Sequence, residues 1–305
     1  MSKSYEKVNY LLRLKKQIER KLIIETLQHL GTIIDIKSYR YFGFGSIYFA
    51  DFILFHKYLN IGKMTSIDNK QDDEKRFNFN KPFHFIDFRI YECKAFLEKK
   101  LDWNEKLLFW LDYDVDIDEL IIDNVEFIAS KAKPFDIFLI TIDAEPPPVE
   151  PEEFIVQFRD YIPIELANNK TVRGNFPEIL NGIMNACIQN GLITQTDIRF
   201  LQIFNLVYED THKMYTFGGI FCNNDNFDTL IKQLSPLPYI RHGGSVVEIN
   251  CPLLTPREKM YLDSFIKKMG DIDNKCMEIT GLKKEEVETY SQYYKYYPQF
   301  FESIY

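Results

Sequence analysis

Apolar residues at Val8, Leu11, Leu12, Ile18, Leu22, Ile23, Leu27 and Leu30 recur at close to helical spacing, and Gly31 follows as a stop signal, so residues 5–30 are predicted to form one long leading helix. Beyond Gly31 the period changes. Short apolar runs over residues 37–42, 63–67, 84–90, 107–111 and 135–142 read as strands, and residues 49–59, 93–101 and 118–131 between them read as helices. Strand and helix alternating in this way need crossover connections, which implies a mainly parallel sheet covered on both faces.

The later part of the chain breaks the alternation. Residues 144–175 open with the Pro-rich acidic run Ala-Glu-Pro-Pro-Pro-Val-Glu-Pro-Glu-Glu, where three consecutive prolines exclude both helix and central strand, so a connection or lid is predicted to leave the fifth strand. A helix over 176–190 ends at Gly191. Two β-rich runs, 198–208 and 214–222, flank Glu-Asp-Thr-His-Lys and predict an antiparallel hairpin. Thr255-Pro256-Arg257-Glu258 is a capping box with proline at the first helical position, opening a helix expected to reach about residue 269, and a Tyr-rich helix is expected from about residue 283. The predicted division is a leading helix packed on the core (1–31), an α/β domain (32–250) with the Pro-rich connection or lid inside it, and a C-terminal helical extension (251–305).

Composition narrows the classes. The 305 residues are 46% hydrophobic and 15% aromatic, which is the make-up of a folded globular chain. A formal charge of -8 disfavours general affinity for nucleic acid, which rewards basic surfaces. Arg13, Lys16 and Arg20 share one side of the leading helix. That side is expected to pack against core acids, with contact to an anionic ligand or RNA as the other use of such a face. Charges run from Glu6 to Arg20 and no later apolar run reaches the ~18 residues needed to span a bilayer, so a cytoplasmic protein without membrane association is expected. The five cysteines are widely spaced with no C-x-x-C, and the five histidines form no H-x-x-x-H, so reduced thiols and no metal centre are expected. Asp112 and Asp143 could bracket a divalent cation only with a third ligand that the sequence does not identify. Tyr290, Tyr293, Tyr294, Tyr296 and Tyr297 are expected in core packing or a dimer interface, and could otherwise dock a protein partner.

The chemistry concentrates at strand ends. Tyr39-Arg-Tyr-Phe-Gly-Phe-Gly-Ser46 places Gly43, Gly45 and Ser46 where a strand turns into a helix, and Asp68 ends the next strand 23 residues after Gly45. Glycines let a ligand approach the backbone, and an acid about 20 residues on can accept hydrogen bonds from both hydroxyls of a ribose. Leu107-Leu-Phe-Trp-Leu-Asp-Tyr-Asp114 puts Asp112 and Tyr113 at the carboxyl end of the fourth strand, the edge where open sheets bind ligands. There Asp112 could accept a proton or fix a donor, or merely solvate an acidic loop. Asn78 and Asn80 read as turn residues or as contacts to an adenine edge.

Six passages carry a family resemblance: Leu12-Arg-Leu-Lys-Lys-Gln-Ile-Glu-Arg20, Tyr41-Phe-Gly-Phe-Gly-Ser-Ile-Tyr-Phe-Ala-Asp-Phe52, Met64-Thr-Ser-Ile-Asp68, Arg76-Phe-Asn-Phe-Asn-Lys-Pro-Phe83, Trp110-Leu-Asp-Tyr-Asp114 and Cys251-Pro-Leu-Leu-Thr-Pro-Arg-Glu258. Through them the chain resembles a prokaryotic O-methyltransferase family with a class I Rossmann-like core dependent on S-adenosylmethionine (SAM). The resemblance implies a doubly wound, mostly parallel seven-stranded sheet whose seventh strand inserts antiparallel beside the sixth. It also implies SAM as cofactor, with Gly43, Gly45, Ser46, Asp68 and Asp112 around it and Asp112 and Tyr113 at the acceptor. The acceptor itself, a small molecule or a macromolecule, is left open. Tyr41 stands where many such enzymes have an acid that orients the methionyl ammonium; Asp51 or Asp112 could replace it. That departure favours a second reading, a noncatalytic binding or scaffold subunit, for example of an antiviral assembly. A third reading is an RNA or DNA methyltransferase, which lacks support from an N/D-P-P-Y-type motif at Asp112.

Overall fold

A computed structural model describes residues 12–69, 74–240 and 245–298. Its centre is a sheet in which β1 (Arg40–Gly43), β2 (Lys63–Asp68), β3 (Ile86–Ile90), β4 (Leu107–Asp112) and β5 (Ile137–Asp143) all run parallel. The hairpin of β6 (Ile198–Glu209) and β7 (Lys213–Asn223) completes it, with β7 antiparallel to both β5 and β6. The order is β3-β2-β1-β4-β5-β7-β6, so the strand order reverses between β1 and β4 and opens a crevice at their carboxyl ends. A two-residue strand, β8 (Val247–Glu248), adds an eighth position at the edge by pairing parallel to β6. β4 and β5 are buried at nearly every residue, which is why they read as continuous apolar runs rather than alternating ones.

Helices cover both faces. α1 (Leu14–Leu30) and α2 (Ala50–Leu59) lie with the C-terminal segments over one face, on a core that includes Leu22, Leu27, Tyr41, Phe52, Phe55 and Trp110. The short helices α3 (Glu74–Asn80) and α4 (Cys93–Lys99) flank β3, and α5 (Glu119–Lys131) begins at Asp118, whose carboxylate caps it by accepting from the Ile121 N–H. On the opposite face α5 packs beside α8 (Phe176–Gly191), over Phe109, Ile140 and Phe217. The passage over 144–175 holds two short helices, α6 (Pro151–Gln157) and α7 (Asn169–Gly174), both starting after the tri-proline. α9 (Asn224–Leu234) follows β7, capped by the Asn223 side chain.

Several boundaries differ from expectation for local reasons. The described part of the leading helix starts at Leu14, with Arg13 as its cap, and the expected turns before residue 12 lie outside the described residues. Residues 36–38 make a 3-10 turn, so β1 begins only at Arg40. Asn78 and Asn80 sit in α3 rather than in a turn, each donating its side-chain amide to a carbonyl one helical turn back. The capped helix α10 (Pro256–Asp263) keeps its capping box but stops six residues early. Past its end β9 (Ile266–Lys268) and β10 (Asp271–Ile272) pair as a hairpin that turns at Gly270, where φ is +75°.

The tyrosines of the C-terminal part point inward. After the short α11 (Met277–Thr280), α12 (Lys284–Tyr293) and the turn behind it bury Tyr290, Tyr293, Tyr296 and Tyr297 and leave Tyr294 half-buried. Glu25 of α1 is their anchor, accepting from Lys295 Nζ at 2.7 Å, Tyr239 Oη at 2.9 Å and Tyr296 Oη. Partial burial pushes the Glu25 carboxyl up, but the bonds from Lys295, Tyr296 and Tyr239 outweigh it and hold it below the ordinary range. A carboxylate lowered in the folded state contributes stability that is present above its unfolded pKa near ~4.3 and lost as pH falls through the folded value. Glu25→Ala is therefore expected to cost about 1–2 kcal/mol at neutral pH. Denaturant melts should show the gap between variant and wild type closing towards pH 3.

Candidate active site

The turn leaving β1 is built from backbone that few residues adopt. Gly45 has φ +69°, Ser46 +44° and Phe49 +46°, after which α2 begins. A Cβ on Gly45 would lie 2.7 Å from Ser66 Oγ and 3.1 Å from the Phe49 and Phe52 rings, so the glycine is needed for both conformation and space. Gly45→Ala is expected to destabilise the protein by about 1–2 kcal/mol or more and to lower cofactor affinity in parallel, as thermal melts with and without ligand would show. Gly43 has a different use. Its missing Cβ makes room for Tyr41, whose hydroxyl would lie 2.5 Å from that atom.

Gly45 and Ser46 line a cavity of about 480 Å³ at the carboxyl edge of the sheet, together with Ile67, Asp68 and Asn69 from the end of β2. Tyr91, Glu92 and Cys93 beyond β3 supply another wall, and Leu120, Ile121 and Asn124 of α5 join it. Asp112, Tyr113 and Asp114 close the β4 side with Met214 of β7, while Arg13 and Arg20 enter from α1. The predicted residues Gly45, Ser46, Asp68, Asp112 and Tyr113 thus share one cavity. Gly43 does not line it, and neither does Tyr41, whose ring packs edge-on against Phe52 and Phe55 at 4.6 and 4.7 Å. Burial, with the negative charges of Asp51 and Asp112, holds the Tyr41 hydroxyl in its neutral form.

The basic side of α1 is turned into the protein. Lys16 is 1% exposed and its Nζ lies 2.9 Å from both Asp112 Oδ1 and Glu19 Oε2, with the Trp110 ring 4.8 Å away. Burial alone would push the lysine down, but Asp112 and Glu19 together outweigh it and raise its pKa above the usual range, so it stays charged. The Thr216 hydroxyl donates to Glu19, and Trp110 Nε1 donates to Thr141 Oγ1 at 3.0 Å beside it. Arg20 Nε meets Asp51 Oδ1 at 2.6 Å, and Arg13 Nε lies 3.7 Å from Asp210 Oδ2. Asp210, at the β6–β7 turn, also accepts from the N–H groups of Lys15 and Lys16, capping the helix. These contacts match the expected packing against acids, with Lys16 and Arg20 almost wholly enclosed.

Tyr113 packs edge-on against Phe44 at 4.8 Å and its hydroxyl accepts from Asn124 Nδ2 at 3.1 Å. Its enclosure, and the neighbouring Cys93, push its ionisation well above the ordinary range, so it is a neutral hydroxyl at physiological pH. Burial likewise pushes the Cys93 thiol up to about 12. Asp143 lies outside the cavity wall and accepts from the Glu145 N–H, and the described residues contain no group of three or more His, Cys, Asp or Glu placed to hold a metal ion. The wall from Tyr91 to Cys93 and the residues of α5 were not expected from the sequence. The topology places them there, since the loops after β3 and β4 open at the same edge.

The crevice at the strand reversal, the strand-to-helix turn and the antiparallel seventh strand define a class I methyltransferase fold. The chain belongs to the family described as "Putative O-methyltransferase", whose model matches residues 8–305, and is a SAM-dependent methyltransferase. Among solved structures it is similar to the plantazolicin methyltransferase BpumL in complex with a desmethylPZN analog and SAH, at 9% identity and TM-score 0.41, covering 67% of this chain and 84% of that one. It is also similar to the protein Atu636 from Agrobacterium tumefaciens, at 10% identity and TM-score 0.38 over 67% and 81% of the two chains. A third is the fibrillarin/Nop5p complex, at 12% identity and TM-score 0.40 over 67% and 82%. No curated protein matches the chain. Among the described residues no helix is long and apolar enough to cross a membrane.

The residues present suit the cofactor. A cavity of this size falls within the ~300–1,000 Å³ typical of small-molecule sites, and its wall combines a left-handed turn free of side-chain bulk at Gly45 with a carboxylate at Asp68.

Proposed function

We propose that this protein methylates an oxygen of an acceptor that enters the cavity on its β4 side. The reading rests on one observation: the Gly45–Ser46 turn, Asp68 and the Asp112–Tyr113 pair line the same cavity. When bound, SAM supplies an electrophilic methyl group on its sulfonium. Asp68 holds the ribose hydroxyls, and Gly45 and Ser46 let the backbone come close. Asp112, fixed by Lys16, presents a negative charge at the acceptor side, and Tyr113 offers a neutral hydroxyl held by Asn124. Such groups act by orienting acceptor and donor, on which a direct displacement depends. No histidine lines the cavity among the described residues, so an acceptor that ionises readily by itself suits the site best. We place the protein in the cytoplasm, in keeping with its free cysteines.

Incubation of cell extract with SAM carrying a 13C-labelled methyl, followed by separation into small-molecule, protein and RNA fractions, tests this reading. The carbon shift of the labelled product distinguishes oxygen from nitrogen attachment, and label on nitrogen alone would overturn it. A noncatalytic binding subunit draws its support from Tyr41, which puts no acid at the usual ammonium position. That reading predicts saturable SAM binding with no label in any fraction.

A further inference from the structure

The donor just proposed ends in an amino acid, and a cavity that holds it has to receive an α-carboxylate as well as an ammonium. The wall is rich in acids: Asp51, Asp68, Glu92, Asp112, Asp114 and Asp118 all reach it. Each would repel that carboxylate. Only three cationic side chains line the cavity among the described residues: Arg13, Arg20 and Lys94. Lys94 belongs to the α4 side, beyond Asp68, and its ammonium is engaged at the surface with Asp123 at 2.5 Å. The other two belong to the leading helix, Arg20 within α1 and Arg13 at its N-cap.

Arg20 is the better placed. It is 3% exposed, yet it lines the cavity beside Ala50 and Asp51, and the 2.6 Å contact with Asp51 Oδ1 fixes the guanidinium through Nε. A planar fork oriented by one carboxylate is suited to meeting a second in its own plane, as an ammonium is not. The Asp51 pairing also offsets part of the cost of burying the cation in the empty cavity. Arg13 adds a second guanidinium from two helical turns earlier, its Nε 3.7 Å from Asp210 Oδ2.

We propose that Arg20, assisted by Arg13, holds the α-carboxylate of the methionyl group, so that the leading helix is one wall of the cofactor site rather than an appendage packed on it. The proposal rests on SAM occupying this cavity. It also gives the Tyr41 departure a physical setting: the amino-acid end of the donor is gripped by its carboxylate from α1.

The test compares SAM with decarboxylated SAM, which keeps the adenosine, sulfonium and amine and lacks only the carboxylate. Titration calorimetry on the full chain should show the wild type preferring SAM by about tenfold or more, the size expected for charge-assisted hydrogen bonds. In Arg20→Lys, which keeps a cation for Asp51, and separately in Arg13→Gln, that preference should narrow at least about threefold. The narrowing should come from weaker SAM binding, with decarboxylated SAM unchanged. Equal affinity of the wild type for the two ligands, or a preference untouched in both variants, would overturn the assignment while leaving the cofactor reading intact. No saturable binding of either ligand to the wild type would remove the cofactor reading itself. Should Arg20→Lys fail to fold by circular dichroism, the wild-type preference and Arg13→Gln still decide.

Discussion

Asp68→Ala is expected to weaken SAM binding by more than about a hundredfold, since two hydrogen bonds from ribose hydroxyls to a charged acceptor are worth about 3 kcal/mol together at the least. The fold should tolerate the change. Asp68 is the last residue of β2, half-buried at the strand end, and its backbone stays paired through Ile90 of β3. Asp68→Asn, which keeps the shape but loses the charge and one acceptor, should fall between alanine and wild type. Calorimetric titration checks both. An alanine variant that binds as tightly as wild type would mean that the ribose lies elsewhere and that the carboxylate serves only the protein.

Lys16→Met is expected to cost more than any other single change considered, about 3–5 kcal/mol, because it removes the shared cation from a buried group of charges and leaves Glu19 behind. Glu19 is fully buried, and what remains beside it is the Thr216 hydroxyl and a second carboxylate, Asp112. Its burial already pushes its pKa up, and Lys16 is the main opposing influence. In the variant that opposition is gone, so the folded-state pKa of Glu19 rises further above its unfolded value near ~4.3. A raised acid is tolerated below the unfolded pKa and costs stability as pH climbs through the folded one. The deficit should therefore be largest at pH 7 and shrink towards pH 4.5, as urea denaturation at the two pH values would show. A deficit independent of pH would mean that the loss is one of packing against Trp110 and Tyr208.

The alternating strands and helices were legible because β1 to β5 carry apolar runs of strand length separated by helices with readable ends, such as Gly31 and Asp118. Asp68 was legible for a topological reason: in a parallel sheet the residue closing β2 must come out at the same edge as the turn closing β1. Gly43 shows the limit of that logic. A glycine at a strand end is equally demanded by a ligand outside and by a tyrosine inside, and only the coordinates of the Tyr41 ring decide between them. The capped helix at Pro256 could be placed at its start but not at its end, because the stop comes from pairing between β9 and β10, a contact that no local spacing encodes. The basic stripe of α1 was visible, but its burial depends on Asp112, Asp51 and Asp210, which lie 31 to 195 residues away in sequence from their partners.

Those long separations bear on how the protein is made. The helix that carries Arg13, Lys16 and Arg20 is capped by Asp210 and anchored through Glu25 to Tyr239, Lys295 and Tyr296. On a ribosome the first half of the chain can emerge and form β1 to β5 long before those anchors exist. One wall of the cavity then sets only after Asp210, Tyr239, Lys295 and Tyr296 have been synthesised, so binding competence trails the strands it depends on.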